Sequence, residues 1–314
     1  MNNSSTVAAD SAISQAGSSL SFSRRLRAML MRSEPMRGYS LLSPTMLFVL
    51  VALAFPIAIL VTMSFWTQNY LDFDKTFSLV NYTQFFEKKI YSKILIRSLK
   101  ISGMVTLLTV LLAYPMAYFI AFRVHKNKLL WLILITVPFW TSYLLRVFAW
   151  KIVLGFNGVI NSGLMTLGII NEPLEFLLHN PNAVVITLAH AWAAFVILPI
   201  YVSLEKIDRS LLEAARDLGE SAWMTFVRVT LPLSMPGVIA GSLLVFIPTV
   251  GDYVTPTLVG GPRGLMIGNI IQSQFGKTLN WPMGSALAVM SMLTVTLIVC
   301  TFLWFAHTAR KRIA

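Results

Sequence analysis

Cysteine is almost absent from this chain: its 314 residues hold one, Cys300. A single thiol excludes an internal disulfide and a multi-cysteine metal site. It lies in an apolar run, where a small core or lipid-facing residue is the plain reading. Acidic residues are also scarce, 13 against 25 Lys and Arg, and charges of both signs make up 12%. A soluble domain carries about 25%. Gly and Pro, at 17 and 14 residues, do not reach the share of a collagen-like fibre. An ordinary soluble enzyme, a disordered chain and a disulfide-stapled domain are all poor matches.

Signatures of catalysis are missing as well. There is no G-x-x-x-x-G-K-[ST], so the chain has no phosphate-cradling loop of its own. There is no H-E-x-x-H and no G-x-S-x-G. His125, His179, His190 and His307 are scattered, and His190 alone falls inside an apolar run. An intramembrane histidine can line a pathway, but a packed, hydrogen-bonded one is the simpler reading. Nothing calls for a metal or a cofactor.

What is present is apolar: 56% hydrophobic residues and a mean hydropathy of +0.71. Six stretches, 38–71, 101–122, 129–145, 176–204, 229–251 and 278–309, contain no Asp, Glu, Lys or Arg. A membrane-spanning helix needs roughly 17–25 residues. The pattern predicts an all-α polytopic membrane protein with six spans near 41–65, 100–122, 129–148, 183–204, 235–254 and 284–307.

The net charge of +12 falls mostly between these runs. It points to anionic lipid headgroups and topology rather than to nucleic acid. With both termini inside, the inner segments hold fifteen of the 25 basic residues, among them Arg123, Lys126, Lys128, Arg310, Lys311 and Arg312. Residues 1–22 are rich in Ser, Ala and Asn without a signal-peptide pattern, and read as a disordered inner tail. Residues 23–37 alternate basic and apolar positions, as an interfacial amphipathic segment or a simple positive-inside anchor does. Residues 1–40 are thus a tail, 41–309 the membrane domain and 310–314 a second tail. The loop 151–182 is punctuated by Gly, Asn and Pro, with a short interfacial helix expected within 156–167.

The loop from Glu205 to Gly237, between the fourth and fifth runs, is polar and then amphipathic. Leu211, Leu212, Ala215 and Leu218 follow a helical period. Gly219 supplies a left-handed residue to end that helix. Glu220 and Ser221 open a second short helix, with Trp223, Phe226 and Val229 as its apolar stripe. Pro232 is expected to stop it, and Pro236 suits the first turn of the next span. Two short helices meeting at a glycine corner form a shape that docks into a groove on another protein.

Glu213-Ala214-Ala215, three residues, Gly219, nine residues, Val229, one residue and Leu231-Pro232 resemble the EAA loop, EAA---G---------I-LP. That loop marks the permease subunits of bacterial binding-protein-dependent ABC importers; Val229 for isoleucine is the one departure. The resemblance implies a type I importer permease fold with its core at about 94–307 and a coupling loop at 205–236. It implies that the loop seats in a cleft of a separate ATP-binding subunit, present as a pair. Glu213 and Ala215 would lie at that contact, with Gly219 as the turn. Further implied partners are a second permease, with a sister chain favoured because spermidine/putrescine systems use two different permeases, and a substrate-binding protein outside the inner membrane. Residues 138–155, PFWTSYLLRVFAWKIVLG, and 251–262, GDYVTPTLVGGP, resemble the spermidine/putrescine permeases in particular, and imply a polyamine cargo. Other small-solute permeases share parts of them.

Arg146 and Asp252 are the charges nearest the spans. A charge at membrane depth faces a cavity or a partner. We expect the two to pair; the alternative is Asp252 facing the cavity and attracting ammonium groups. Trp140, Tyr143, Trp192 and Tyr253 offer cation–π faces to the same cargo, or form an interfacial aromatic belt. A stand-alone secondary transporter would show internal symmetry, and a membrane enzyme would show clustered nucleophile, base or metal ligands. The sequence shows neither.

Overall fold

The computed structural model describes residues 34–70, 72–177 and 179–313. Of the tail expected at 1–40, residues 1–33, with most of the amphipathic stretch 23–37, lie outside the described residues. The chain divides into two units, 1–59 and 60–314.

The first unit holds most of α1 (Glu34–Ser64). Every residue from 41 to 59 is exposed, and these are chiefly Leu, Phe, Val, Ile and Ala. A helix apolar all round belongs in lipid. Pro44 and Pro56 lie inside it, as spanning helices tolerate.

The second unit opens with a hairpin, β1 (Thr67–Asn69) and β2 (Asp72–Asp74), paired antiparallel with Thr67 opposite Asp74. Then come α2 (Val80–Glu87), α3 (Lys89–Phe122), α4 (Lys128–Thr136), a 3₁₀ turn (Val137–Trp140), α5 (Tyr143–Val153) and α6 (Val159–Thr166). Next are α7 (Pro181–Glu205), α8 (Arg209–Asp217), α9 (Ala222–Thr225), a π-turn (Phe226–Thr230) and α10 (Leu231–Val250). A second π-turn (Pro256–Gly260), α11 (Gly261–Gly264), α12 (Ile267–Gly276) and α13 (Trp281–Ile313) complete it.

Among the described residues, five helices are long and apolar enough to cross a membrane: 41–64, 89–122, 181–205, 222–250 and 281–308. The expected third span, 129–148, is not one straight helix. It is broken, with an 85° bend between Lys128–Trp140 and Tyr143–Val153. Pro138 has no N–H to continue the helix. Thr141 then turns extended (ψ 155°), with its hydroxyl donating to Pro138 O at 2.7 Å. Counting the bent pair gives the six expected spans. The short helix expected within 156–167 is α6, while the hairpin was not foreseen.

Pro232 requires a second correction, because the helix does not stop there. The π-turn lets Leu231 N–H reach back five residues to Phe226 O, and α10 continues through Pro232 and Pro236. The wide turn absorbs the donor that proline lacks.

The core of this unit is α3, α7 and α10. Val184, Leu188, Val196, Ile200 and Leu204 of α7 are fully buried against Val105 and Ala117 of α3 and Val245 of α10. Lipid gives apolar helices little reason to associate, so close packing of small residues must do it. Gly237 and Gly241, four apart on α10, make that contact. A Cβ at Gly237 would sit 2.4 Å from Pro199 O, and one at Gly241 3.2 Å from Val196 Cα. At one end of this packing Tyr114 and Ser234 share a 2.8 Å hydrogen bond.

Candidate functional site

The first region is the corner between α7 and α10. Asp208 caps α8, its Oδ1 accepting from Ser210 N at 3.0 Å. That bond holds the Asp208 carboxyl below the usual carboxylate range. At the other end Gly219 adopts φ +84°. Gly219 N–H donates to Arg216 O (2.9 Å) and Glu220 N–H to Ala215 O (3.1 Å). This pair of bonds is the Schellman ending, which needs a left-handed residue where Gly219 stands. Ser221 then caps α9, accepting from Met224 N at 3.3 Å. Arg228 donates to Glu220 across the corner.

The corner is tied to the spans by rings. Phe226 meets Tyr114 at 5.6 Å and Tyr118 at 6.1 Å, both on α3, while Trp223 stacks on it at 5.6 Å. Lys128 Nζ donates to both Glu205 oxygens (2.8 and 2.9 Å) and to Ala121 O (3.0 Å). It thereby joins the ends of α3 and α7. Glu213 and Ala214 are exposed and Ala215 half-buried, while Leu211, Leu218 (85% exposed) and Trp223 (70%) project outward. No residue of α8 is buried. Val229, Leu231 and Pro232 are half-buried in the π-turn and the start of α10.

The second region lies where the broken span meets the chain after α10. Tyr143, first residue of α5, donates its hydroxyl to Asp252 Oδ2 at 2.7 Å. With that proton used, Thr255 is the donor in the 2.6 Å contact with Tyr143. Asp252 Oδ1 accepts from Val254 N at 2.9 Å. Arg146, one turn further on, donates to Ala191 O at 3.2 Å and lies 4.8 Å from the Phe139 ring centre.

The expected Arg146–Asp252 ion pair is therefore absent: the two ion pairs among the described residues are Lys128–Glu205 and Arg228–Glu220. The carboxylate is engaged by Tyr143 and a backbone amide, and the guanidinium by a carbonyl and a ring. Of the four aromatic candidates, Tyr143 and Trp192 come together, ring centres 6.0 Å apart. Trp140 lies at the break, 78% exposed, away from them. Tyr253 instead lines an open cavity of about 480 Å³ with Gly251, Gly268, Ile271, Gln272, Phe275 and Gly276.

His190 is hydrogen-bonded, as the simple reading expects, but it is exposed rather than packed in the core. Its Nδ1 accepts from Trp150 Nε1 at 3.0 Å, and its ring faces Phe139 at 6.1 Å. Sequence reasoning missed Thr255, Gln272 and Phe275, since nothing local marks residues that meet only through the fold. Among the described residues no group of His, Cys, Asp or Glu is placed to hold a metal, and Cys300 is exposed.

Apolar spans, one of them broken, and a polar helical corner between the last but two and the last but one define a membrane-embedded transport subunit. The chain belongs to the family described as binding-protein-dependent transport system inner membrane component, which it matches over residues 43–313. It is a transporter permease and not an enzyme. It is 38% identical over 259 residues to the spermidine/putrescine transport system permease protein PotB of Escherichia coli (strain K12), covering 82% of this chain and 94% of that one. To PotB of Haemophilus influenzae it is 39% identical over 262 residues, covering 82% and 88%. Its fold is that of the type I importer permeases. It matches a chain of a bacterial alginate ABC transporter, solved in complex with alginate pentasaccharide-bound periplasmic protein, with a TM-score of 0.70. That match covers 92% of this chain and 98% of the other at 18% identity.

Proposed function

We propose that this chain forms half of the translocation pathway of an ATP-driven importer for polyamines such as spermidine and putrescine. The observation that carries the coupling is the Ala215–Glu220 corner. It holds Glu213, Ala214 and Ala215 on an exposed helix beside outward-facing Leu211, Leu218 and Trp223. Exposed apolar residues on a polar loop outside the spans mark a protein interface. The partner is a separate ATPase pair, and the loop, with both termini, lies in the cytoplasm, where the basic loops also fall. A sister permease completes the pathway, and a binding protein delivers cargo on the other side. Closure of the ATPases draws the corners together, and α10, continuous with α9 through the π-turn, carries that movement into the membrane. The polyamine assignment rests on the two relatives, similar over most of both chains.

In this reading Asp252 anchors α5 to the chain after α10 through Tyr143. It does not neutralise Arg146. The test is reconstitution of the four-component complex in proteoliposomes. Uptake of labelled spermidine should require ATP, the binding protein and an intact corner. ATP-independent uptake, or ATP-driven uptake of other solutes but not polyamines, would overturn the mechanism or the cargo respectively.

A further inference from the structure

The cavity beside Tyr253 lies outside both regions just described. Its volume of about 480 Å³ falls within the roughly 300–1,000 Å³ of small-molecule sites. Its lining has a definite chemistry. Three of the seven residues, Gly251, Gly268 and Gly276, have no side chain to fill it. Tyr253 and Phe275 supply aromatic rings from two different elements, and Ile271 an aliphatic wall. Gln272 supplies an amide that makes no hydrogen bond to the described residues.

No charged side chain lines the cavity, so a bound anion would find no counter-charge. Aromatic rings attract a cation through their faces, most strongly where water is reduced. Methylene groups pack against the same rings. Asp252, between the lining residues Gly251 and Tyr253, is the only acidic residue after Glu220. It sets a negative charge one residue from the wall, although its carboxylate is directed to Tyr143. The aromatic surface also continues outward: Phe275 faces Trp281 at 6.5 Å, and Trp281 faces Phe73 of the hairpin at 6.1 Å. Gln68 clamps that hairpin to the start of α13, donating to Leu279 O (2.7 Å) and accepting from Trp281 N (3.1 Å).

We propose that the cavity bounded by Tyr253, Gln272 and Phe275 is a subsite for a primary alkylammonium group and its adjoining methylene chain. The rings meet the cation and the methylenes, and the Gln272 carbonyl accepts an ammonium N–H. This deepens the polyamine reading and rests on it. A lipid with an aminoethyl headgroup offers the same chemistry, and the test separates the two sources.

The experiment uses the complete complex in phosphatidylcholine nanodiscs, with Cys300→Ser and a single new thiol, Gly276→Cys, on the cavity wall at a position that contributes no group to the ammonium. The rate of labelling by a water-soluble thiol reagent is measured with and without spermidine. Spermidine should slow labelling several-fold, and Phe275→Leu added to the same background should remove the protection. A thiol at Ser92, outside the cavity, should be unaffected. Protection by added phosphatidylethanolamine but not by spermidine would assign the site to lipid and overturn the cargo subsite. Equal rates under all conditions would overturn the subsite altogether. Spermidine uptake by the Cys300→Ser complex is measured in parallel. Uptake without protection sinks only the subsite, whereas a complex that takes up no polyamine sinks the functional reading itself.

Discussion

The contact between Tyr143 and Asp252 yields the sharpest prediction. Tyr143→Phe deletes one hydroxyl and keeps the ring against Trp192. A hydrogen bond to a charged acceptor contributes about 1.5–3 kcal/mol, so Tyr143→Phe should lower stability by an amount in that range. Asp252→Asn keeps an oxygen for Val254 N and an amide facing Tyr143, but loses the charge. Charge-assisted bonds are about twice as strong as neutral ones, so this change should cost roughly half as much. The two substitutions act on one bond, and the double variant should therefore cost less than their sum.

Arg146→Gln supplies the contrast. The partners of Arg146, Ala191 O and Phe139, are not those of Asp252. Arg146→Gln with Asp252→Asn should then add to within about 0.5 kcal/mol. A true buried ion pair behaves otherwise: each single change strands a charge at about 3–5 kcal/mol, and the double change recovers stability. The assay is denaturant unfolding of the purified complex across these five variants and the parent. Recovery in the Arg146→Gln, Asp252→Asn double would refute the arrangement seen here.

Gly219→Val places a β-branched residue at φ +84°, at about 1–3 kcal/mol of strain. Space around Gly219 is open, so the protein should insert normally while uptake and cargo-stimulated ATPase activity fall together; Gly219→Asn, which tolerates that φ, should retain both. Gly237→Ala drives a methyl to 2.4 Å from Pro199 O and should reduce membrane abundance by separating α7 from α10, as read by immunoblot. Asp208 has a folded carboxyl value below its unfolded one. Its capping contribution is therefore complete above the ordinary aspartate value of about 3.9, and is lost as pH falls through the depressed folded value. Amide exchange at Ser210 should then respond to Asp208→Ala equally at pH 6 and pH 8, and an effect confined to pH 8 would contradict the cap. For topology, thiols at residues 72–82 and 167–172 should label from outside sealed cells, whereas those at Lys126 and Ser221 should not; labelling at Ser221 would invert the orientation.

What could be read from the sequence was local. A run without charge gives a span because lipid demands internal hydrogen bonding of every backbone group. Gly219, four residues after Ala215, gives a helix ending because one residue type suits that φ. Both features are visible within ten residues. The break at Pro138 was less legible, since proline inside a spanning helix often leaves it continuous, as Pro115 and Pro199 show here. What decided the break was the extended Thr141. Asp252 and Arg146 stand out in the sequence as charges near apolar runs, but their partners do not. Tyr143 lies 109 residues from Asp252 and Ala191 45 from Arg146, and only the packing of α5 on the chain after α10 and on α7 brings those atoms together. The cavity by Tyr253 was hidden for the same reason, being bounded by two elements joined through a turn.

The π-turn at Phe226–Thr230 has a mechanical consequence. One residue more than an α-turn is wound into it, and Pro232 withholds a donor just beyond. Fewer hydrogen bonds along the axis there make the rod easier to flex, while its covalent path stays unbroken. Such a joint passes a push or a twist along the axis yet yields sideways. The corner is thus free to follow a moving partner without prising α10 from its glycine seat on α7. Deleting one residue from the turn would also rotate α9 by about 100° around the axis. Phe226 would swing away from Tyr114 and Tyr118, and the corner would face the wrong way on an otherwise intact span.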